Sequence, residues 1–217
     1  SPRGEYAAIE LTHCNGALCA ISAVRFNDNG ECSEFYTPVS VGVPMSEEFR
    51  RRTGISEEDS ETAPLLKDAV NALLQFADGA KMVVWDREEY YELYKEAKKR
   101  GIDMNEHAAV AMELTRYHCR APLDDTTTID GCMAAMGTSR ASMLPIDGAR
   151  ALKEQFLKII ERYEAMGKAR IPLFDCVPHE KVKGKRSTYH IIIIAKNIGG
   201  LKNLYKLVSY AHIDYLK

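Results

Sequence analysis

The sequence predicts an α/β protein: a mixed sheet that opens as an antiparallel meander and is flanked by helices. Two observations carry this. Three strand-like runs, 5–13, 17–26 and 31–38, follow one another near the start and are separated by turn residues. Behind them come amphipathic helical stripes, interrupted by one short apolar run at 81–85.

The elements follow in order. The first run is Glu5-Tyr6-Ala7-Ala8-Ile9-Glu10-Leu11, and the second, Ala17 to Phe26, is rich in Ile, Val and Ala. Asn27-Asp28-Asn29-Gly30 offers residues that tolerate positive φ, so a turn is expected there. The third run carries Phe35 and Tyr36 and ends near Pro38. A short helix is expected from Ser46 to Arg52, closed by Thr53-Gly54. Another is expected from an N-cap at Thr62, with Pro64 in its first turn and Leu66, Ala69, Val70, Leu73 and Leu74 on one face. Gly79 ends it, and Lys81-Met82-Val83-Val84-Trp85 reads as a buried strand. Asp86 and Glu89 have capping-box spacing at the head of a helix that buries Tyr90, Leu93, Tyr94 and Ala97 and stops at Gly101. Further helices are expected at about 106–118, 127–136 and 146–166. The last carries a stripe of Ala149, Leu152, Phe156, Ile159, Ile160 and Tyr163. Residues 167–187 read as a connector, Tyr189 to Ala195 as a buried strand and Gly200 to Ala211 as an amphipathic helix.

Composition narrows the class. The chain has 217 residues, enough for one full domain, or one domain plus an appended piece. Its 46% hydrophobic and 28% charged residues suit a soluble protein, and no apolar run reaches membrane-spanning length. Ser1-Pro2-Arg3-Gly4 leads straight into a strand-like run, so no secretory signal is expected. Six cysteines without a CxxC pair argue against a structural zinc site and suit reduced thiols in the cytoplasm. From residue 167 onward ten Lys and Arg stand against three Asp and Glu. The net charge of −2 therefore hides an acidic body and a basic end. Lys181, Lys183, Lys185 and Arg186 could touch a nucleic-acid backbone or simply solvate a connector.

A meander followed by helices around a further strand is the element order of a ribonuclease-H-like layer fold. Two stretches carry a more specific resemblance. Tyr189-His190-Ile191 through Gly200-Leu201-Lys202-Asn203-Leu204 to Leu207-Val208-Ser209, with His212 beyond, resembles the PHP segment of PolC-type DNA polymerase III alpha subunits. In that family a DnaQ-like (DEDDh) 3′–5′ proofreading exonuclease is inserted into the PHP domain. Pro38 to Ile55, with Pro44-Met45-Ser46 and Arg52-Thr53-Gly54-Ile55, resembles a stretch of that exonuclease. The resemblance implies three parts: a DnaQ-like exonuclease domain over 1–166, a connector over 167–187, and a PHP strand and helix over 188–217.

It also implies a site. The family's chemistry uses two divalent cations held by carboxylates, with a general-base histidine. Its first motif, DxE, falls on Ala8-Ile9-Glu10, so Ala8 replaces an aspartate and Glu10 remains. Its second, HNxxFD, falls on Trp85-Asp86 and puts Tyr90 at or next to the aspartate. Its last, HxxxxD, falls on Ser142 and Asp147: the histidine is replaced and the aspartate kept. Lost metal ligands and a lost base, the latter normally worth ~10²–10⁴ in rate, imply an inactive site.

The resemblance therefore implies a piece of a bacterial cytoplasmic replicative polymerase carrying a degenerate exonuclease, with a structural or single-strand-binding role. No cofactor is expected, except one weakly held ion on Glu10 and Asp147, or Mg²⁺ or Mn²⁺ if the site is active. Expected partners are a single-stranded DNA 3′ end and the remaining polymerase domains, with a homodimer through the PHP-like segment as a further option. Two alternatives stay open: an active nuclease using neighbours such as Asp86 or Glu89, and a free-standing adaptor domain. Asp86, Glu88 and Glu89 read first as helix-capping residues, and Asp124 and Asp125 as loop and N-cap residues. His13, His107, His118, His179, His190 and His212 show no metal-ligand spacing.

Overall fold

The computed structural model describes residues 4–27, 31–118 and 126–178. The chain divides into two units, Ser1–Pro178 and His179–Lys217. The expected PHP strand and helix, the basic run at 181–186 and the proposed dimer surface all belong to the second unit and lie outside the described residues. The turn residues 28–30, and Asp124 and Asp125, also lie outside the described residues, in the first unit.

Among the described residues six strands form one sheet in the order β3-β2-β1-β4-β5-β6. β1 (Tyr6–Cys14), β2 (Ala17–Phe26) and β3 (Cys32–Pro38) are the antiparallel meander, with Tyr6 opposite Phe26 and Phe26 opposite Cys32. The β1–β2 turn places Asn15 and Gly16 at φ 49° and 80°, the positive-φ pair that a tight hairpin requires. β4 (Lys81–Val84) pairs parallel to β1 at Tyr6 to Ala8 only, so β1 runs on past the end of β4. Its overhanging part carries Glu10 and Leu11.

Helices cover both faces. α1 (Glu47–Thr53), α2 (Glu57–Thr62) and α3 (Leu66–Ala77) lie between β3 and β4 in the chain, and α4 (Arg87–Lys99) follows β4. After β5 (His107–Val110), a three-residue turn α5 (Ala111–Glu113) widens into a π-helical stretch, Leu114–His118. α6 (Ile129–Met136), α7 (Pro145–Ala165) and β6 (Phe174–Asp175) complete the described chain. Alternation along β1 divides the core. Ala7, Ile9 and Leu11 face α3 and α4, while Tyr6 and Ala8 face α7. On the α7 side Tyr6, Phe26 and Phe156 meet edge to face and stacked, with Tyr6 and Phe156 centroids 4.7 Å apart.

Three sequence expectations are corrected. Residues 106–118 are not one helix: 107–110 form β5, which pairs parallel to β4 and antiparallel to β6. The run is rich in Ala, Met and Glu, good helix formers. Ala108, Ala109 and Val110 are nonetheless at most 1% exposed, as a central strand covered on both faces must be. Thr62 is not an N-cap; it ends α2 and its hydroxyl donates back to the Glu58 carbonyl. α3 instead starts after Leu65, with no side-chain cap. The stretch read as a connector folds back as β6 at 174–175.

Candidate functional site

Glu10 lies where β1 outruns β4, at the carboxyl end of the parallel strands, where open α/β sheets build their crevices. Its side chain is 13% exposed and projects toward the head of α7. Gly148 makes room there, since a Cβ at that position would collide with the Glu10 carboxyl group. Ala8, one pleat back on the same face, is fully buried and carries no polar atom.

Two guanidinium groups dominate the site. Arg140 Nη1 donates to Glu10 Oε1 at 2.8 Å, while its Nε and Nη2 donate to the Ser142 and Leu144 carbonyls at 2.6 and 3.0 Å. Arg150, on α7, donates from Nη1 to Asp147 Oδ1 at 2.9 Å. Its Nε and Nη2 form a fork on Glu34 of β3 at 2.7 and 2.8 Å. The Ser142 hydroxyl donates to Asp147 Oδ2 at 2.5 Å and accepts the Leu144 N–H at 3.1 Å. Both Asp147 oxygens and one Glu10 oxygen are therefore committed to this chain's own donors.

α4 brings a third carboxyl group. Asp86 caps the helix by accepting the Glu89 N–H at 2.8 Å, as its position predicts. Glu89 does not close the capping box. Its Oε1 instead accepts the Leu11 N–H at 3.3 Å, a backbone donor of β1 beyond the end of β4. The structure thus places Glu89 beside Glu10 and turns Tyr90 away. Tyr90 is buried in the opposite core layer, and its hydroxyl donates to the Asn105 carbonyl at 2.7 Å.

The carboxyl groups do not share a charge state. Burial and the neighbouring charges of Glu10 and Asp86 push the Glu89 carboxyl up to about 8, against a single opposing backbone N–H. Burial also raises Glu10, which Arg140 offsets only in part. Asp147 moves the other way, held down by the Ser142 hydroxyl and the Arg150 guanidinium. Arg150 likewise holds Glu34 below the usual carboxylate range.

A cleft of about 400 Å³ opens beside Glu10, lined in part by His13, Ser46, Phe49, Arg52 and Arg140. α1 forms one wall. Ser46 caps it by accepting the Phe49 N–H, and Gly54 ends it in the left-handed region at φ 70°. Buried Met45 and Ile55 anchor its two ends, which accounts locally for the Pro44-Met45-Ser46 and Thr53-Gly54-Ile55 pattern.

These residues do not fit a pair of hard divalent cations. Such ions need several free carboxylate oxygens. Ala8 offers none, Glu10 and Asp147 hold guanidinium groups, and Glu89 accepts the Leu11 N–H. Among the described residues no group of three or more His, Cys, Asp or Glu side chains is arranged to hold a metal ion. The sequence reading singled out Glu10 and Asp147 but not Arg140, Arg150 or Glu34. Residues 130 and 116 positions apart pair here, and no local spacing announces such contacts.

No protein-family model matches the chain. Among curated proteins it is similar to the PolC-type DNA polymerase III of Caldanaerobacter subterraneus subsp. tengcongensis, 27% identical over 227 residues, covering 99% of this chain and 16% of that protein. The PolC-type polymerase of Thermotoga petrophila is 23% identical over 205 residues, covering 91% and 14%. That of Clostridium perfringens is 68% identical over a short stretch of 31 residues, 14% of this chain and 2% of that protein. The chain thus spans 16% or less of the length of these relatives. Among solved structures it resembles a full-length 3′-exonuclease, with a TM-score of 0.59 at 12% identity over 80% of this chain and 64% of that one. It also resembles a 3′-exonuclease described in specific recognition of the 3′ end of a histone mRNA stem-loop, with a TM-score of 0.57 at 12% identity, covering 77% and 84%. Cell-death related nuclease 4 gives a TM-score of 0.56 at 15% identity, covering 76% and 65%. The chain therefore has partial, distant homology to PolC-type polymerases, and its mixed sheet flanked by helices resembles the ribonuclease-H-like exonuclease fold.

Proposed function

We propose that this chain is a degenerate 3′–5′ exonuclease domain of a PolC-like replicative polymerase, catalytically silent and kept for a structural or DNA-binding role. The observation that carries this reading is the pairing of Glu10 with Arg140 and of Asp147 with Arg150, where catalysis would need bare carboxylates. Ala8 and Ser142 add to it, because neither supplies a ligand or a base. The setting is the bacterial cytoplasm, and the partners are the other polymerase domains and the 3′ end of single-stranded DNA.

Hydrolysis of a labelled single-stranded oligonucleotide in Mn²⁺, then in EDTA, tests the reading. No shortening beyond a Glu10→Ala, Asp147→Ala control is expected. Metal-dependent 3′-to-5′ shortening that the control lacks contradicts it. The position of Glu89 beside Glu10 favours one second reading, an active site with a substitute carboxylate. In that case Glu89→Gln abolishes the shortening.

A further inference from the structure

We infer that Arg140 and Arg150 serve as built-in counter-cations, binding the 138–144 loop, β1, β3 and the head of α7 into one unit that needs no metal ion. Carboxyl groups from three separate elements meet these two arginines: Glu10 from β1, Glu34 from β3 and Asp147 from α7. Left bare, Glu34 and Asp147 would repel one another, and Glu10 would repel Glu89. A bound cation is one remedy; fixed guanidinium groups are another.

The geometry is that of a strut. Arg140 spends one N–H on Glu10 and two on carbonyls of its own loop, at Ser142 and Leu144. The loop is thereby wrapped around the guanidinium plane and pinned to β1. The pair is secluded, with side-chain exposures of 20% for Arg140 and 13% for Glu10, so solvent does little to screen it. Gly148 completes the fit, because any side chain there would displace the Glu10 carboxyl from Arg140. Arg150 bridges β3 to α7 through Glu34 and Asp147, and Ser142 ties Asp147 back to the same loop. The outer bridge is more exposed, with Arg150 at 49% and Glu34 at 41%, so it contributes less.

Thermal unfolding of the whole chain, with Mg²⁺ or Mn²⁺ and then with EDTA, tests the inference. The unsubstituted protein is expected to unfold at the same temperature in all three, within about 1 °C. Arg140→Met is expected to lower that temperature by roughly 6–12 °C, because it strands a buried carboxylate. Arg140→Lys recovers part of the loss, keeping the charge without the three-point planar contact. Arg150→Met loses about 2–4 °C. An Arg140→Met protein that unfolds within about 1 °C of the parent overturns the inference. So does a saturable Mn²⁺-dependent rise in the parent that Glu10→Gln removes. Should Arg140→Met yield no folded protein, amide exchange in Arg140→Lys decides. Faster exchange at 142–148 with β2 unchanged supports the strut, and unchanged exchange in both refutes it. A nuclease-positive protein with an intact strut would sink the functional reading and leave this one standing; a silent protein indifferent to Arg140 would do the reverse.

Discussion

Glu89 and Asp147 occupy the same position in two different helices, the third residue of α4 and the third of α7; Glu89 lies beside Glu10, and Asp147 precedes Gly148, which meets Glu10. A helix N-terminus favours a negative charge at either place, by about 0.3–1 kcal/mol. Their ionisation nevertheless moves in opposite directions. Glu89 rises to about 8, while Asp147 falls below the usual range. The difference lies in the partners. Asp147 meets a hydroxyl and a guanidinium; Glu89 meets one backbone N–H and two other carboxyl groups. Desolvation and neighbouring charge, each able to move a carboxyl by several pH units, override the helix end. Position in a helix therefore says little about charge until the facing elements are known.

The comparison can be broken most sharply at Gly148. A helix interior normally gains about 1 kcal/mol from Gly→Ala. Here Gly148→Ala should instead cost roughly 2–3 kcal/mol, because it drives the Glu10 carboxyl off Arg140. In a Glu10→Ala background the same substitution should become stabilising. Denaturant unfolding of the four proteins of this cycle checks the reversal of sign.

Glu89→Gln sharpens the contrast next. A carboxyl whose folded value is raised binds its proton more tightly in the native state. Its contribution is complete below the ordinary value of 4.5 and is lost as pH climbs toward 8. The glutamine keeps an acceptor for Leu11 and removes that loss. It should be nearly neutral at pH 4 and stabilising by about 2 kcal/mol at pH 9. Urea midpoints at the two pH values measure it.

Asp147→Asn should act with the opposite sign and least strongly. Its depressed value gives stability that is present above the ordinary aspartate value near 3.8 and lost as pH falls below it. The substitution should cost about 1 kcal/mol from pH 5 to 8, with the deficit shrinking in acid. Midpoints measured from pH 2 to 7 resolve the trend.

Much of the scaffold was legible because its signals are local. The meander shows three strand-like apolar runs separated by turn residues, and α7 shows one long stripe, Ala149 to Tyr163. Ser56 and Asp59 form a capping box that announces α2, but the helix is almost wholly polar and gives no periodic stripe. β5 was hidden because a four-residue strand buried on both faces has no alternation, and its residues favour helix. Glu10 and Asp147 were placed by motif resemblance. Glu89 was read as a capping residue because its spacing from Asp86 fits one. Only the overhang of β1 past β4, a tertiary fact, turns its side chain toward Leu11. Arg140 and Arg150 carry no signature at all, since a guanidinium that replaces a cation looks in sequence like any surface arginine.

The central claim is that this site neutralises its carboxylates from within. Titration of the purified chain with Mn²⁺, following the free ion by electron paramagnetic resonance, tests it most directly. No site tighter than ~1 mM is expected, the weak end of oxygen-ligand cation binding. Two Mn²⁺ ions held per chain at micromolar concentration, and lost in Glu10→Ala, Asp147→Ala, would contradict it.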